Sequence, residues 1–302
     1  MNNLEDYKTV LIVGNGFDLS LKYPTSYLDF MESQYFTNLV SKNNNCLARY
    51  LTYKRETTGN WIDVEKELAT YSNIINSAPS IEHKMPKKLR EDKSYTNIME
   101  SFRKEYIQLC IALKEYLKGL ESQNRFNEGY DKSPAYKLIQ MISDERKLCY
   151  IVNFNYTKFA KIIINHFDNC RNFKIRQIHG SLKDDIVFGV QDNMELQREH
   201  VFLYKSHNKR QEVRGLPLIL ENADKIIFFG YSLGETDHSY FDDFFLNQTK
   251  KDCRSKSFVF YHYGQDAYDD IIWQLKTLTN NRTSYLNQYN TIEFEDSSKP
   301  LK

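Results

Sequence analysis

The sequence predicts an α/β protein: a Rossmann-like, mostly parallel sheet flanked by helices, with an inserted all-helical block. Three observations lead there. Short apolar runs rich in β-branched and aromatic residues recur along the chain, several of them continuous, as in strands buried on both faces. Helical patterns follow most of these runs. From about Thr52 to Met141 no convincing strand pattern occurs.

In chain order, the candidate strands are Thr9–Val13 (TVLIV), Leu148–Val152 (LCYIV), Phe173–Ile178 (FKIRQI), Ile186–Phe188 (IVF), Lys225–Phe229 (KIIFF), Ser257–Tyr261 (SFVFY) and Thr291–Phe294 (TIEF). Helical patterns at Tyr156–His166, His238–Lys250 and Ala267–Leu278 alternate with them. In the middle of the chain Ile98, Phe102, Tyr106, Leu109, Leu113, Leu117 and Leu120 are spaced 4, 4, 3, 4, 4 and 3, which makes one long amphipathic helix. The seam is short for a coiled coil, so it is expected to pack on its own domain rather than to dimerise. Lys84, Lys87, Lys88 and Arg90 flank Pro86 in a polar segment that reads as solvated loop. The expected domains are a core of 1–44 plus 145–302 and a helical insertion of 45–144.

Composition narrows the function. With 302 residues, the chain is one large domain or two small ones at about 150 residues each. Its 11 Gly and 6 Pro are too few for a collagen-like or low-complexity architecture. The 41 basic and 40 acidic residues give a net charge of +1, so no overall field marks a nucleic-acid or membrane partner. Five cysteines, far apart and without a CxxC pair, form neither a disulfide framework nor a zinc site. The N-terminal MNNLEDYKTVLIVGNGFD has no basic segment followed by an apolar one, and no apolar run is long enough to span a bilayer. A cytoplasmic protein is the expectation.

The first strand runs into Gly14-Asn15-Gly16-Phe17-Asp18, a strand–glycine turn–helix unit whose backbone N–H groups suit phosphate. The pattern is GxGxxL, lacking the third glycine of the dinucleotide fingerprint, and no ribose-binding acid ends a second strand about 20 residues on. The glycines can equally serve a tight turn. Asp18 either caps the helix or acts as a ligand-binding or catalytic carboxylate. Further strand ends give Asn153-Phe154-Asn155-Tyr156-Thr157, Ile178-His179-Gly180-Ser181 and Gly230-Tyr231-Ser232-Leu233-Gly234-Glu235-Thr236-Asp237. In an open parallel sheet these ends share one edge, where ligands bind. Taken singly, Asn and Ser after a strand are ordinary turn residues.

The stretches GNGFDLSLKYPTSYLDF, WIDVE (Trp61 to Glu65), NFNYT, IHGS, IVFG and GYSLGETDHSYFDDFF resemble the AbiH family of phage abortive-infection proteins over nearly the whole chain. The resemblance implies anti-phage defence, with a phage-derived trigger among the partners. More distantly, the framework is similar to the sirtuin-like NAD-binding fold, with Gly14–Gly16, Asn153–Thr157, His179-Gly180 and Gly230–Leu233 standing where that fold surrounds NAD. That similarity implies destruction of NAD as the activity, with NAD as substrate and no bound cofactor. Three departures stand out: GNG replaces GAG, Thr157 replaces the acid of the asparagine motif, and no zinc ribbon is encoded. Asp18, Trp61, Asp63 and Glu65 have no counterpart in that fold.

The expected reaction is hydrolysis of the nicotinamide–ribose bond. Asn155 would orient the ribose or the water, His179 would accept a proton, and Asp18 is the third catalytic candidate. Gly14, Asn15, Gly16 and Phe17, with Asn153 and Gly180, would line the dinucleotide, and Gly230 and Ser232 would meet a phosphate or the adenosine side. Asp237 is a binding candidate, although capping of a helix that starts at His238 is the more ordinary role. Glu65 is an alternative to Asp18 for electrostatic stabilisation. His238 and Asp242, four apart, are too few to hold a metal, and none is expected. His262 is a reserve binding residue. Two other readings stand beside this one. A nuclease-like toxin would use Asp18, Asp63 and Glu65 as metal-binding carboxylates and the basic stretch Lys205–Arg214. A non-catalytic nucleotide sensor would bind without turnover. Homo-oligomerisation stays open.

Overall fold

A computed structural model describes residues 6–58, 62–91, 98–123, 128–208 and 214–299. Strand β1 (Thr9–Val13) and helix α1 (Asn15–Ser20) open the chain. Then come α2 (Tyr27–Glu32), α3 (Gln34–Ser41), α4 (Cys46–Thr58), α5 (Val64–Ile74), α6 (Ala78–Lys84), α7 (Lys87–Arg90), the long α8 (Ile98–Ser122) and α9 (Pro134–Asp144). The remainder is β2 (Cys149–Asn153), α10 (Phe159–Ile164), β3 (Phe173–Gln177), α11 (Leu216–Asn222), β4 (Lys225–Phe229), α12 (Asp242–Asn247), β5 (Ser257–His262), α13 (Gly264–Leu278), α14 (Thr283–Tyr289) and β6 (Thr291–Asp296). The chain divides into two compact units. One comprises Met1–Tyr23, Asn124–Ser181 and Glu212–Lys302; the other comprises Pro24–Gln123 and Leu182–Gln211.

The first unit is the α/β body. Its six strands run β3-β2-β1-β4-β5-β6, and every neighbouring pair is parallel. This is the Rossmann order, in which the order of strand addition reverses between β1 and β4. Apolar sequence explains which strands are central: β1, β2 and all but the first residue of β4 are buried throughout. The edges are polar. On β6, Glu293 and Glu295 alternate outward, which discourages pairing with a further strand. Phe228, Phe260 and Phe294 are register partners on β4, β5 and β6. Their rings stack at 4.7 and 5.4 Å between centroids, forming a cross-strand aromatic ladder in the core.

The second unit is helical. Ile98, Phe102, Leu109, Leu113, Leu117 and Leu120 of α8 are buried against α3 and α4, so the long seam is core of its own unit. Tyr106 of that seam donates its hydroxyl to the Phe188 carbonyl. Three expectations fail here. The polar segment around Pro86 is not loop throughout: Lys84 ends α6, and Lys87, Lys88 and Arg90 lie on α7. Ile186–Phe188 is not a strand; this unit uses it as buried loop, and the nearby pairing is a single bridge between Val190 and Tyr204. In the first unit, the helix expected from His238 is instead a 3-10 turn over Glu235–Tyr240, followed by α12. All five cysteines are free thiols. Among the described residues no helix is long and apolar enough to cross a membrane.

His200 lies buried in the second unit, with Nδ1 2.8 Å from the Ser72 hydroxyl and its ring edge-on to Phe102. Burial pushes its pKa below the ordinary histidine value, partly offset by Glu199. The unfolded chain therefore binds the extra proton more readily, and His200's contribution to stability is whole above about pH 6.5 and is lost as pH falls below it. A His200→Gln variant should lose less stability than the wild type in urea melts between about pH 7 and about pH 5.5. Equal losses would assign the acid sensitivity to other groups.

Candidate functional site

The carboxyl ends of β1 and β4 meet through glycine. A Cβ on Gly16 would lie 2.5 Å from the Gly230 Cα, and one on Gly14 would lie 2.6 Å from the Gly230 carbonyl oxygen. Gly230 has φ +60°, and its own Cβ would strike the Gly16 backbone at 2.4 Å. The contact is held by hydrogen bonds. Gly14 N–H donates to Phe229 O (3.1 Å) and Gly16 N–H to Gly230 O (2.9 Å), and Phe17 N–H closes the first turn of α1 on Gly14 O (2.9 Å). Those N–H groups are thus spent inside the protein, and close backbone approach accounts for the glycines. Phe17 is fully buried and edge-on to Phe229. Asn15 is exposed.

Asp18 does not cap α1, whose N-terminus has no side-chain cap. It is 1 % exposed, and its carboxylate accepts from Asn155 Nδ2 (2.9 Å) and from the Thr157 hydroxyl. Asn155 Nδ2 also donates to Gly14 O at 3.0 Å. Asn153 shapes the same loop: its Nδ2 donates to Thr157 O and its Oδ1 accepts from Asn155 N–H. Gln177, at the end of β3, donates Nε2 to the carbonyls of residues 155, 156 and 157. The asparagine motif and Asp18 form one buried polar lattice joining the ends of β1, β2 and β3.

A second cluster surrounds His179. Its Nε2 is 3.3 Å from Asp237 Oδ1 and 3.3 Å from the Tyr240 hydroxyl, while Asp237 Oδ2 accepts from the Tyr231 hydroxyl at 3.0 Å. The Phe154 ring packs on this cluster, 5.3 Å from the His179 ring and 4.4 Å from that of Tyr231. Asp237 pairs with a histidine instead of capping a helix, because the helix begins later than the sequence suggests. Gly180 follows with φ +75°.

Beside the glycine contact a cavity of about 800 Å3 opens over the carboxyl ends of β1, β4 and β5. Gly16, Gly230, Tyr231, Ser232, His262 and Tyr263 are among its walls. Leu233, on the β4 loop, is held at φ +55° although buried. A bulky residue in that region costs about 1–2 kcal/mol. Of the residues expected from sequence, Gly16, Gly230, Ser232 and His262 line this cavity. Asp18, Asn153 and Asn155 lie in the buried lattice, and His179 and Asp237 lie in the cluster that the Tyr231 hydroxyl joins. Tyr231, Tyr240 and Gln177 went unrecognised in the sequence, since only the sheet order brings them to these partners.

The carboxylates of the nuclease-like reading are each committed elsewhere. Asp63 caps α5, and Glu65 pairs with Lys205 at 2.8 Å, both in the second unit. Lys205 is 1 % exposed and so offers no basic surface; Trp61 and positions 209–213 of the basic stretch lie outside the described residues. No group of three or more His, Cys, Asp or Glu positioned to hold a metal occurs among the described residues. His238 instead bonds Leu233 O and Gln274 Oε1.

Comparison with known families matches residues 10–261 to the family described as "Bacteriophage abortive infection AbiH". The matched span runs from β1 to β5 and holds both polar clusters and the glycine contact. No curated protein matches the chain.

Two stability predictions follow from this geometry. Gly230→Ala should cost about 2–5 kcal/mol, the sum of left-handed strain and overpacking. Gly264→Ala, at φ +74° but with open space around its Cβ, should cost only about 1–2 kcal/mol; equal shifts in urea midpoint would deny the tight contact. Asn155→Ala strips a donor from both Asp18 and Gly14 O, and a loss of about 3 kcal/mol is expected for two buried acceptors left short. An unchanged midpoint would mean that the lattice does not hold the loops.

Proposed function

This chain belongs to the AbiH family of bacteriophage abortive-infection proteins, and from its role in phage abortive infection we propose that it acts as an effector that hydrolyses the nicotinamide–ribose bond of NAD or a related nucleotide. The observation that carries the reading is the cavity at the β1–β4 reversal of an all-parallel sheet. Crevices at that point of such sheets take nucleotides, and about 800 Å3 is dinucleotide scale.

In the proposed reaction, the bond between ribose C1′ and the pyridinium nitrogen breaks and nicotinamide leaves as a neutral base with the bonding electron pair. Water adds to C1′ of the oxocarbenium-like ribose, and its proton passes to the imidazole of His179. A positioned base of this kind contributes about 10²–10⁴-fold. Asn155 and Asp18 support the reaction by fixing the loops around the sheet edge, since their hydrogen-bonding groups are engaged with one another and with Gly14 O. That same engagement favours a second reading, a nucleotide sensor that binds without turnover. Both readings have NAD or a nucleotide as partner and a phage-derived trigger upstream, in a cytoplasmic setting.

Incubation of the purified protein with NAD, read by chromatography for nicotinamide and ADP-ribose, separates them. Release of nicotinamide that falls at least about 100-fold in His179→Ala is expected. Thermal stabilisation by NAD or ADP-ribose without release would select the sensor, and neither effect would remove the nucleotide reading altogether.

A further inference from the structure

We propose that Asp237 is the positioning residue of His179, fixing the neutral imidazole with its proton on Nε2 so that Nδ1 is the nitrogen that accepts a proton; this rests on the reading of His179 as the base. Both side chains are largely buried, 6 % and 13 % exposed. Asp237 Oδ1 faces Nε2 at 3.3 Å. An ionised carboxylate has only lone pairs to offer. Were the imidazole proton on Nδ1, two lone pairs would confront each other across that gap in a site of low polarity, so the proton belongs on Nε2. The Tyr240 hydroxyl, also 3.3 Å from Nε2, then shares that N–H as an acceptor. Among the described residues none is bonded to Nδ1.

The second carboxylate oxygen is held independently. Oδ2 accepts from the Tyr231 hydroxyl at 3.0 Å, and Tyr231 is a wall of the cavity whose Cα lies within 2.8 Å of where a Gly14 Cβ would stand. The chain Tyr231–Asp237–His179 thereby ties the orientation of the imidazole to the glycine contact. When the ring takes a proton, the carboxylate facing it stabilises the cation without itself being protonated, the division of labour known from serine-hydrolase triads.

Asparagine at position 237 inverts the arrangement. Its carbonyl oxygen satisfies the Tyr231 hydroxyl, its NH2 turns to His179, and Nε2 must then present a lone pair, which moves the ring proton to Nδ1. The test is nitrogen NMR of the histidine side chains in alkaline buffer without ligand, with the His179 signal identified from its loss in His179→Gln. The wild type should read as Nε2–H, Asp237→Asn as Nδ1–H, and Tyr231→Phe, which leaves the carboxylate in place, as Nε2–H. A wild-type Nδ1–H signal overturns the proposal and needs no variant to fold; so does an unchanged tautomer in a folded Asp237→Asn.

NAD hydrolysis by the same proteins is the separate readout. Asp237→Asn should lower kcat by about 100-fold or more with KM little changed. If the tautomers behave as stated and the wild type spares NAD, the positioning role stands and the hydrolase reading falls.

Discussion

The contact between Gly16 and Gly230, two backbones touching with no side chain between them, sets the geometry of the carboxyl edge. Two neighbouring strands of a parallel sheet must each turn away at the same height, and any Cβ at either position would push the turns apart. Because they do approach, the N–H groups of Gly14 and Gly16 find carbonyl partners on Phe229 and Gly230, while that of Phe17 bonds Gly14 O within its own turn. A glycine-rich turn after a first strand is usually read as a phosphate cradle. Here the N–H groups of Gly14 and Gly16 are engaged in joining the two halves of the sheet, and a cavity adjoins them.

The same logic explains the pairing of positions 18 and 157. The Thr157 hydroxyl donates to the Asp18 carboxylate. An acid at both positions would bring two buried carboxylates together, which is strongly unfavourable unless one is protonated. A carboxylate at 18 with a hydroxyl at 157 satisfies both, and Asn155 supplies the second donor while also bonding Gly14 O. The acid at 18 and the hydroxyl at 157 thus act as one structural pair.

Much of the fold was readable because the strand signals are strong: TVLIV, LCYIV and KIIFF are the near-continuous apolar runs of central strands. The long seam of α8 was readable for the corresponding helical reason. The failures were short or geometric. Ile186–Phe188 is three residues, too brief to distinguish buried loop from strand, and His238–Lys250 carries a helical pattern whose first turn closes as 3-10. At the site, the sequence named residues that do come together in two clusters after β1, β2, β3 and β4, since strand ends in a parallel sheet share an edge. It could not reveal which hydrogen bonds they spend on each other. Asp237 shows the limit well: a helix cap and a histidine partner look identical until β3 and the β4 loop are side by side.

That spending decides where chemistry can reside. A buried donor or acceptor already satisfied by protein has little reason to exchange its partner for a ligand, because breaking the bond costs about 1–3 kcal/mol per group left unmade. Asp18, Asn153 and Asn155 are in that position. His179 differs, since its partners all converge on one ring nitrogen and orient the ring. A network that immobilises one end of a titratable group while leaving the other for use is what proton transfer requires. The lattice and the cluster therefore differ in kind: the first joins the ends of β1, β2 and β3, and the second orients the imidazole of His179 through one ring nitrogen.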